Sequence, residues 1–232
     1  MVVKMGFFSK LFGNKIQNLN TEENEAMSKV LLIKANDRPA DQGISSRMYE
    51  TFVNTFKEAN PNAEITELEL FNLDLPYYGN TAIMGAYKRS QGMEMTAEET
   101  KAADLVDQYL NQFLDAEKIV FAFPLWNFTV PAPLISYISY LSQAGKTFKY
   151  TVEGPVGLAG DKKVAVLSAR GSDYTQMPAM EMAANYVINI LSFWGITNPE
   201  VVVIEGHNQY PDRAQEIIAD GLEKVAKVAA NF

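Results

Sequence analysis

The stretch Lys118–Leu134, KIVFAFPLWNFTVPAPL, decides how this chain folds. Residues 119–123 are apolar with no alternation, the pattern of a parallel strand covered on both faces. Pro124 cannot extend a strand ladder, and the chain passes directly into Leu125-Trp126-Asn127-Phe128. Pro131 and Pro133 then stand where proline is tolerated, at the start of an amphipathic helix expected over Ala132–Gly145. Two aromatics and an amide therefore occupy a short loop at the carboxyl end of a central strand, where open α/β sheets bind their ligands. A loop of this kind can also do no more than cap a core, so the neighbouring loops decide its meaning.

Short apolar runs alternate with helical stretches on both sides. KVLLIKA at Lys29–Ala35 is a first strand, followed by a loop and a helix from Ser45 to about Glu58. Glu64–Leu70 alternates apolar and polar residues and reads as an edge or half-buried strand. A long irregular connection over 71–95 carries Asn72, Pro76, Gly79, Asn80 and Gly85. Thr96-Ala-Glu-Glu has the capping-box pattern and starts a helix running to about Asp115. Beyond the strand at Lys118–Phe123 and its helix lies a turn-rich excursion, KTFKYTVEGPVGLAG, over Lys146–Gly160. Lys162–Ser168 is a further buried strand, Pro178–Trp194 a helix ended by Gly195, Glu200–Glu205 a fifth strand and Asp212–Ala230 the last helix. Five strands interleaved with helices predict a doubly wound parallel α/β sheet with helices on both faces. Order 2-1-3-4-5 places the ends of strands one, three and four together, and these are the strands followed by unusual loops.

Composition narrows the chemistry. At 232 residues the chain suits one domain, and a net charge of −8 argues against nucleic acid as a partner. There is no Cys and only one His, His207, which reads as a turn residue after a strand. Thiolate chemistry and a His-rich metal centre are excluded, so redox chemistry would have to come from an organic cofactor. No apolar run approaches the roughly 20 residues of a membrane span. Residues 1–26 differ from the rest: Phe8, Leu11, Phe12 and Ile16 fall at helical spacing among lysines, and a polar NLNTEENEA follows. They read as a leader, disordered or amphipathic, ahead of a domain over 27–232. Without a cleavable signal or a span, the chain is expected in the cytoplasm.

The loop Asn36–Ser46 joins the first strand to a helix N-terminus, a place suited to phosphate, although Ser45 or Ser46 could simply cap the helix. Neither a GxxxxGK[ST] nor a GxGxxG motif is present. Ser168-Ala169-Arg170-Gly171-Ser172-Asp173 follows the fourth strand, and Gly171 would let the backbone approach a ligand. A phosphate loop, an aromatic-amide loop and a glycine loop together match the needs of flavin mononucleotide, with a phosphate at one end and a flat polar-edged ring at the other.

From Met27 onward the chain resembles the flavodoxin-like FMN-dependent NADH azoreductases, which also reduce quinones. The resemblance rests on SKVLLIKA with its serine-ending loop, FPLWNF, GKTFKYTVEGPVGL and VLSARGS. It implies FMN phosphate at Asn36, Ile44 and Ser45, and ring contacts from Leu125, Trp126, Asn127, Phe128, Ala169 and Gly171. It further implies a homodimer in which Tyr150 and Phe193 line the substrate side of the pocket, with no metal and no catalytic side chain. FMN would take hydride from NADH or NADPH and pass it to quinones or azo compounds in a ping-pong cycle. Gly43, where some relatives carry a phosphate-binding serine, and Ser172, in place of a second glycine, depart from the family pattern. The alternative is a flavodoxin-like electron carrier without NADH turnover; the aromatics and the 71–95 and 146–160 excursions favour the enzyme.

Overall fold

The computed structural model describes residues 28–232, and the leader expected over 1–26 lies outside them. The elements run β1 (Lys29–Lys34), α1 (Ile44–Ala59), β2 (Glu64–Glu69), α2 (Asn80–Ser90), α3 (Ala97–Asp115), β3 (Lys118–Pro124) and α4 (Ala132–Leu141). They continue with β4 (Phe148–Thr151), β5 (Gly154–Gly157), β6 (Lys163–Arg170), α5 (Ala183–Phe193), β7 (Glu200–Glu205) and α6 (Ala214–Ala230). Five parallel strands form one sheet in the order β2-β1-β3-β6-β7, which is 2-1-3-4-5 when its strands are counted alone. The edge position expected for the alternating second strand is where β2 lies.

Strand side chains point alternately to the two faces, so each central strand feeds two cores. Leu31, Ile33, Ile119, Phe121, Phe123, Val164 and Val166 face α3, α4 and α5. Val30, Leu32, Val120, Ala122, Ala165 and Leu167 face α1 and α6. That double demand is why these strands show no polar face in sequence. The Thr96 hydroxyl accepts from the Glu99 amide while the Glu99 carboxylate accepts from the Thr96 amide, so the capping box starts α3 as expected.

Several boundaries differ from the expectation. The irregular connection over 71–95 contains α2, whose only buried residues are Ala82 and Gly85, leaving no apolar stripe to reveal it. The 146–160 excursion folds into the antiparallel hairpin β4–β5. α4 stops at Leu141, where the Thr147 hydroxyl donates to the terminal carbonyl at 2.7 Å. β6 runs on to Arg170, because Arg170 pairs with Glu205 of β7. The helix expected over Pro178–Trp194 is divided. A single 3₁₀ turn spans Pro178–Met180, and the Glu181 carboxylate then accepts from the amides of Ala183, Ala184 and Asn185, fixing a new start for α5. Another 3₁₀ turn, at Pro211–Arg213, likewise precedes α6.

Candidate active site

A cleft of 540 Å³ opens at the carboxyl ends of β1, β3, β6 and β7. Its first wall is the loop from Asn36 to Ser45. Asn36, almost fully buried, donates from Nδ2 to Ser45 Oγ at 2.8 Å and accepts the Arg38 amide on Oδ1 at 3.0 Å. Ser46 Oγ donates to the Arg38 carbonyl at 2.6 Å. Both serine hydroxyls are engaged within the loop, so neither caps α1, and the helix begins at Ile44 with no side-chain cap. The first-turn amides of a helix have no intrahelical acceptor. With the helix dipole behind them, those of α1 are available to an anion. A Cβ at Gly43 would stand 3.1 Å from Asn36 Nδ2 and 3.3 Å from Ser46 Oγ, so a serine there would crowd the clasp that shapes the loop.

The second wall is Pro124-Leu125-Trp126. Leu125 donates its amide to the Ala169 carbonyl at 2.9 Å, which carries the β3–β6 pairing one step past the strand. Trp126 and Thr129 then exchange backbone hydrogen bonds of 2.9 and 3.0 Å around a two-residue turn. Its central residues Asn127 and Phe128 have φ of 49° and 70°, the pattern of a type I′ hairpin. Asn is common in that region, but a bulky aromatic there is strained. The turn is held on both sides: the Phe71 ring lies 5.9 Å from Trp126 in an edge contact, and Met182 donates its amide to the Phe128 carbonyl at 2.9 Å. Replacing Phe128 by Gly and by Ala separates strain from ring. Gly relieves φ while Ala keeps it, so Phe128→Gly is expected to be more stable than Phe128→Ala by about 1 kcal/mol in urea unfolding. Equal stabilities would mean that the turn is unstrained.

The third wall is Ala169-Arg170-Gly171, joined by His207 and Asn208 from the loop after β7 and by Ala214 and Ile218 of α6. Gly171 is expected from sequence to admit a ligand; a second and tighter constraint comes from the protein itself. A Cβ there would meet Asn208 Nδ2 at 2.5 Å, and the Gly171 carbonyl accepts the amides of Asn208 and Gln209. Arg170 donates to Glu205 and lies 3.1 Å from Glu181, and its guanidinium stands over the Tyr174 ring at 5.4 Å. One cation thus ties together the end of β6, the end of β7 and the start of α5.

Of the residues expected from sequence, Asn36, Ile44, Ser45, Leu125, Trp126, Ala169 and Gly171 line this one cleft. Asn127 and Phe128 sit exposed on the turn at its mouth. Tyr150 and Phe193 are placed elsewhere: both rings pack on Phe148, at 5.4 and 4.5 Å, where the β4–β5 hairpin meets the far end of α5. Tyr150 is 73% exposed there. His207, read from sequence as a turn residue, lies in a turn that also lines the cleft, and sequence reasoning passed over Asn208 beside it and Glu181 behind the cleft. No local signal marks them: Asn208 and Glu181 are placed by partners distant in sequence, Gly171 and Arg170.

A family model described as a flavodoxin-like fold matches residues 28–229. An FMN-dependent NADH:quinone oxidoreductase of Bacillus cereus is 77% identical over 208 residues, covering 89% of this chain and 100% of the relative. The chain belongs to the flavodoxin-like FMN-dependent NADH:quinone oxidoreductase family. Among solved structures, an azoreductase from Bacillus anthracis str. Sterne is 57% identical with a TM-score of 0.86, covering 89% of this chain and 100% of that one. An FMN-dependent NADH-azoreductase from Bacillus anthracis str. Ames Ancestor, solved in complex with FMN, is 27% identical with a TM-score of 0.78, covering 88% and 99%.

For a member of this family the cleft has the features that FMN demands. The free amides of α1 and the polar Asn36 clasp suit a phosphate, and the Leu125-Trp126 wall suits a flat ring. Among the described residues the site contains no nucleophile paired with a base. His207, the one candidate base, has its imidazole pushed below the usual histidine value by burial.

Proposed function

We propose that this protein binds FMN in the cleft and reduces quinones and azo compounds with NADH or NADPH as donor. The observation that carries this reading is the convergence on one cleft of an uncapped helix N-terminus and a strained aromatic turn. FMN held there would supply the redox chemistry, hydride transfer between nicotinamide and acceptor in a ping-pong cycle. The chain's own residues bind, orient and exclude water. Ile44 and Ser45 present amides to the phosphate, with Asn36 holding their loop in shape. Leu125 and Trp126 wall the ring, Ala169 and Gly171 offer it backbone groups, and Asn127 and Phe128 stand at the mouth, where a planar acceptor would enter.

We further propose a homodimer acting in the cytoplasm. Tyr150 and Val152 project from the β4–β5 hairpin, Tyr150 73% exposed and Val152 fully, while Phe128 and Met182, joined by a backbone hydrogen bond, are exposed beside the cleft. A second copy covering both surfaces would bring Tyr150 and Phe193 to the acceptor side of the neighbouring cleft.

The purified protein is expected to release FMN, not FAD, on denaturation, and to oxidise NADH with menadione in the absence of any added protein. Light scattering should give about twice the 25.8 kDa chain mass. Bound flavin without menadione-dependent turnover would leave an electron carrier. No flavin after reconstitution would remove the cofactor assignment, and a fully active monomer would remove the shared pocket alone.

A further inference from the structure

The one histidine of the chain lies in the cleft, and the proposed function gives it no role. His207 follows β7, the last strand of the sheet, and lines the cleft together with Ala214 and Ile218 of α6. Helix α6 packs beside α1 over the same face, so both helices begin at the carboxyl end of the sheet. His207 thus lines the same cleft as Ile44 and Ser45 of the first turn of α1, whereas the Trp126–Thr129 turn is fastened to Met182, just before α5.

The two ring nitrogens have different surroundings. Nδ1 is sealed from solvent and has no hydrogen-bond partner among the described residues, which leaves Nε2 to meet the cleft. A buried N–H without an acceptor is less tolerable than a buried lone pair without a donor. Placing hydrogen on Nδ1, in the neutral ring or in the imidazolium, is therefore disfavoured. What remains is the neutral tautomer with its hydrogen on Nε2, a donor of fixed orientation and no charge.

A fixed donor in a cleft calls for an acceptor. The nearby arginines do not supply a fixed donor of this kind: Arg170 is engaged by Glu205 and Glu181, and Arg38, which also lines the cleft, is an exposed side chain with no ion pair holding it among the described residues. We propose that His207 is a cofactor-binding residue whose Nε2–H donates to the phosphate of FMN, adding a third element, the β7–α6 loop, to the phosphate site formed by the β1–α1 loop. This rests on the reading that the cleft holds FMN.

The test compares FMN with riboflavin, which has the ring and ribityl chain without the phosphate. Affinities of apoprotein for both are read by flavin fluorescence for wild type, His207→Ala and His207→Gln. His207→Ala is expected to raise the FMN Kd roughly tenfold, the lower range for a hydrogen bond to a charged group, and to leave riboflavin unchanged. His207→Gln, which keeps a donor, should recover part of that loss and report that the loop still folds. With a single histidine, long-range ¹H–¹⁵N spectra need no assignment. They should show the neutral ring protonated on Nε2 and a shift on adding FMN or inorganic phosphate, but none with riboflavin. Wild-type FMN affinity in His207→Ala, an equal loss for riboflavin, or a ring protonated on Nδ1 would each overturn the proposal. Failure of the wild-type protein to bind FMN would instead strike the functional reading beneath it.

Discussion

Glu181→Ala is expected to destabilise the protein by about 2–4 kcal/mol and to loosen the cleft with it. Glu181 is 6% exposed and serves two groups at once. Its carboxylate accepts three amides at the start of α5 and approaches the Arg170 guanidinium at 3.1 Å. Truncation leaves buried amides without an acceptor and a largely buried arginine with Glu205 as its remaining carboxylate partner. The loss falls short of a fully orphaned charge because Glu205 holds Arg170 with two nitrogens. Glu181→Gln keeps one acceptor oxygen and should lose distinctly less. Because Met182 bonds the Phe128 carbonyl, the same change should disturb the strained turn, and acceptor KM should rise in the alanine variant. Urea unfolding of both variants checks the stability order. Wild-type stability for Glu181→Ala would show that solvent replaces the carboxylate without loss.

A comparable effect is expected far from the cleft, at Gly157→Ala. Here β5 crosses the end of α5 with backbone against backbone. A methyl at Gly157 would overlap the Gly195 nitrogen and the Trp194 carbonyl carbon. Neither neighbour can turn aside. Gly195 is held at φ 95°, and Trp194, fully buried, stands edge-on to Phe113 at 5.1 Å. Overpacking of this kind costs about 1–3 kcal/mol, and more when rigid backbone is the obstacle; we expect about 3 kcal/mol. The measurement is a thermal or urea midpoint, with hydrogen exchange of the β4–β5 hairpin as the local readout. An unchanged midpoint would mean that the hairpin lifts away freely.

These two sites show where sequence reading succeeds and where it stops. β1, β3 and β6 were legible because residues such as Leu31, Val120 and Val166 must satisfy two cores, which leaves an unbroken apolar run. The phosphate loop and the Leu125-Trp126 wall were legible because each sits next to such a strand. Nothing comparable marks α2 or the hairpin, whose side chains are mostly exposed. A positive φ at Phe128 runs against the residue's own preference, so no local rule announces it. Glu181 and His207 acquire their surroundings from parts distant in sequence, Glu181 through contact with Arg170 and His207 in a cleft shared with the β1–α1 loop.

The attachment of α2 has a consequence for how the family can vary. α2 is joined to α3 by charge, Lys88 with Glu99 at 2.7 Å and Arg89 with Asp104 and Asp107 at 2.6 Å each, and by the close approach of Gly85 to the α3 backbone at Glu99. Partly solvated pairs of this sort contribute about 0–1 kcal/mol apiece. Neither sheet face relies on the helix beyond the single buried side chain of Ala82. Ala82 and Gly85 apart, substitutions at the exposed positions of the 80–90 segment should therefore pass little penalty to the strands that carry the cleft. The molecule pairs central strands in which almost every residue is committed with an outer helix in which few are.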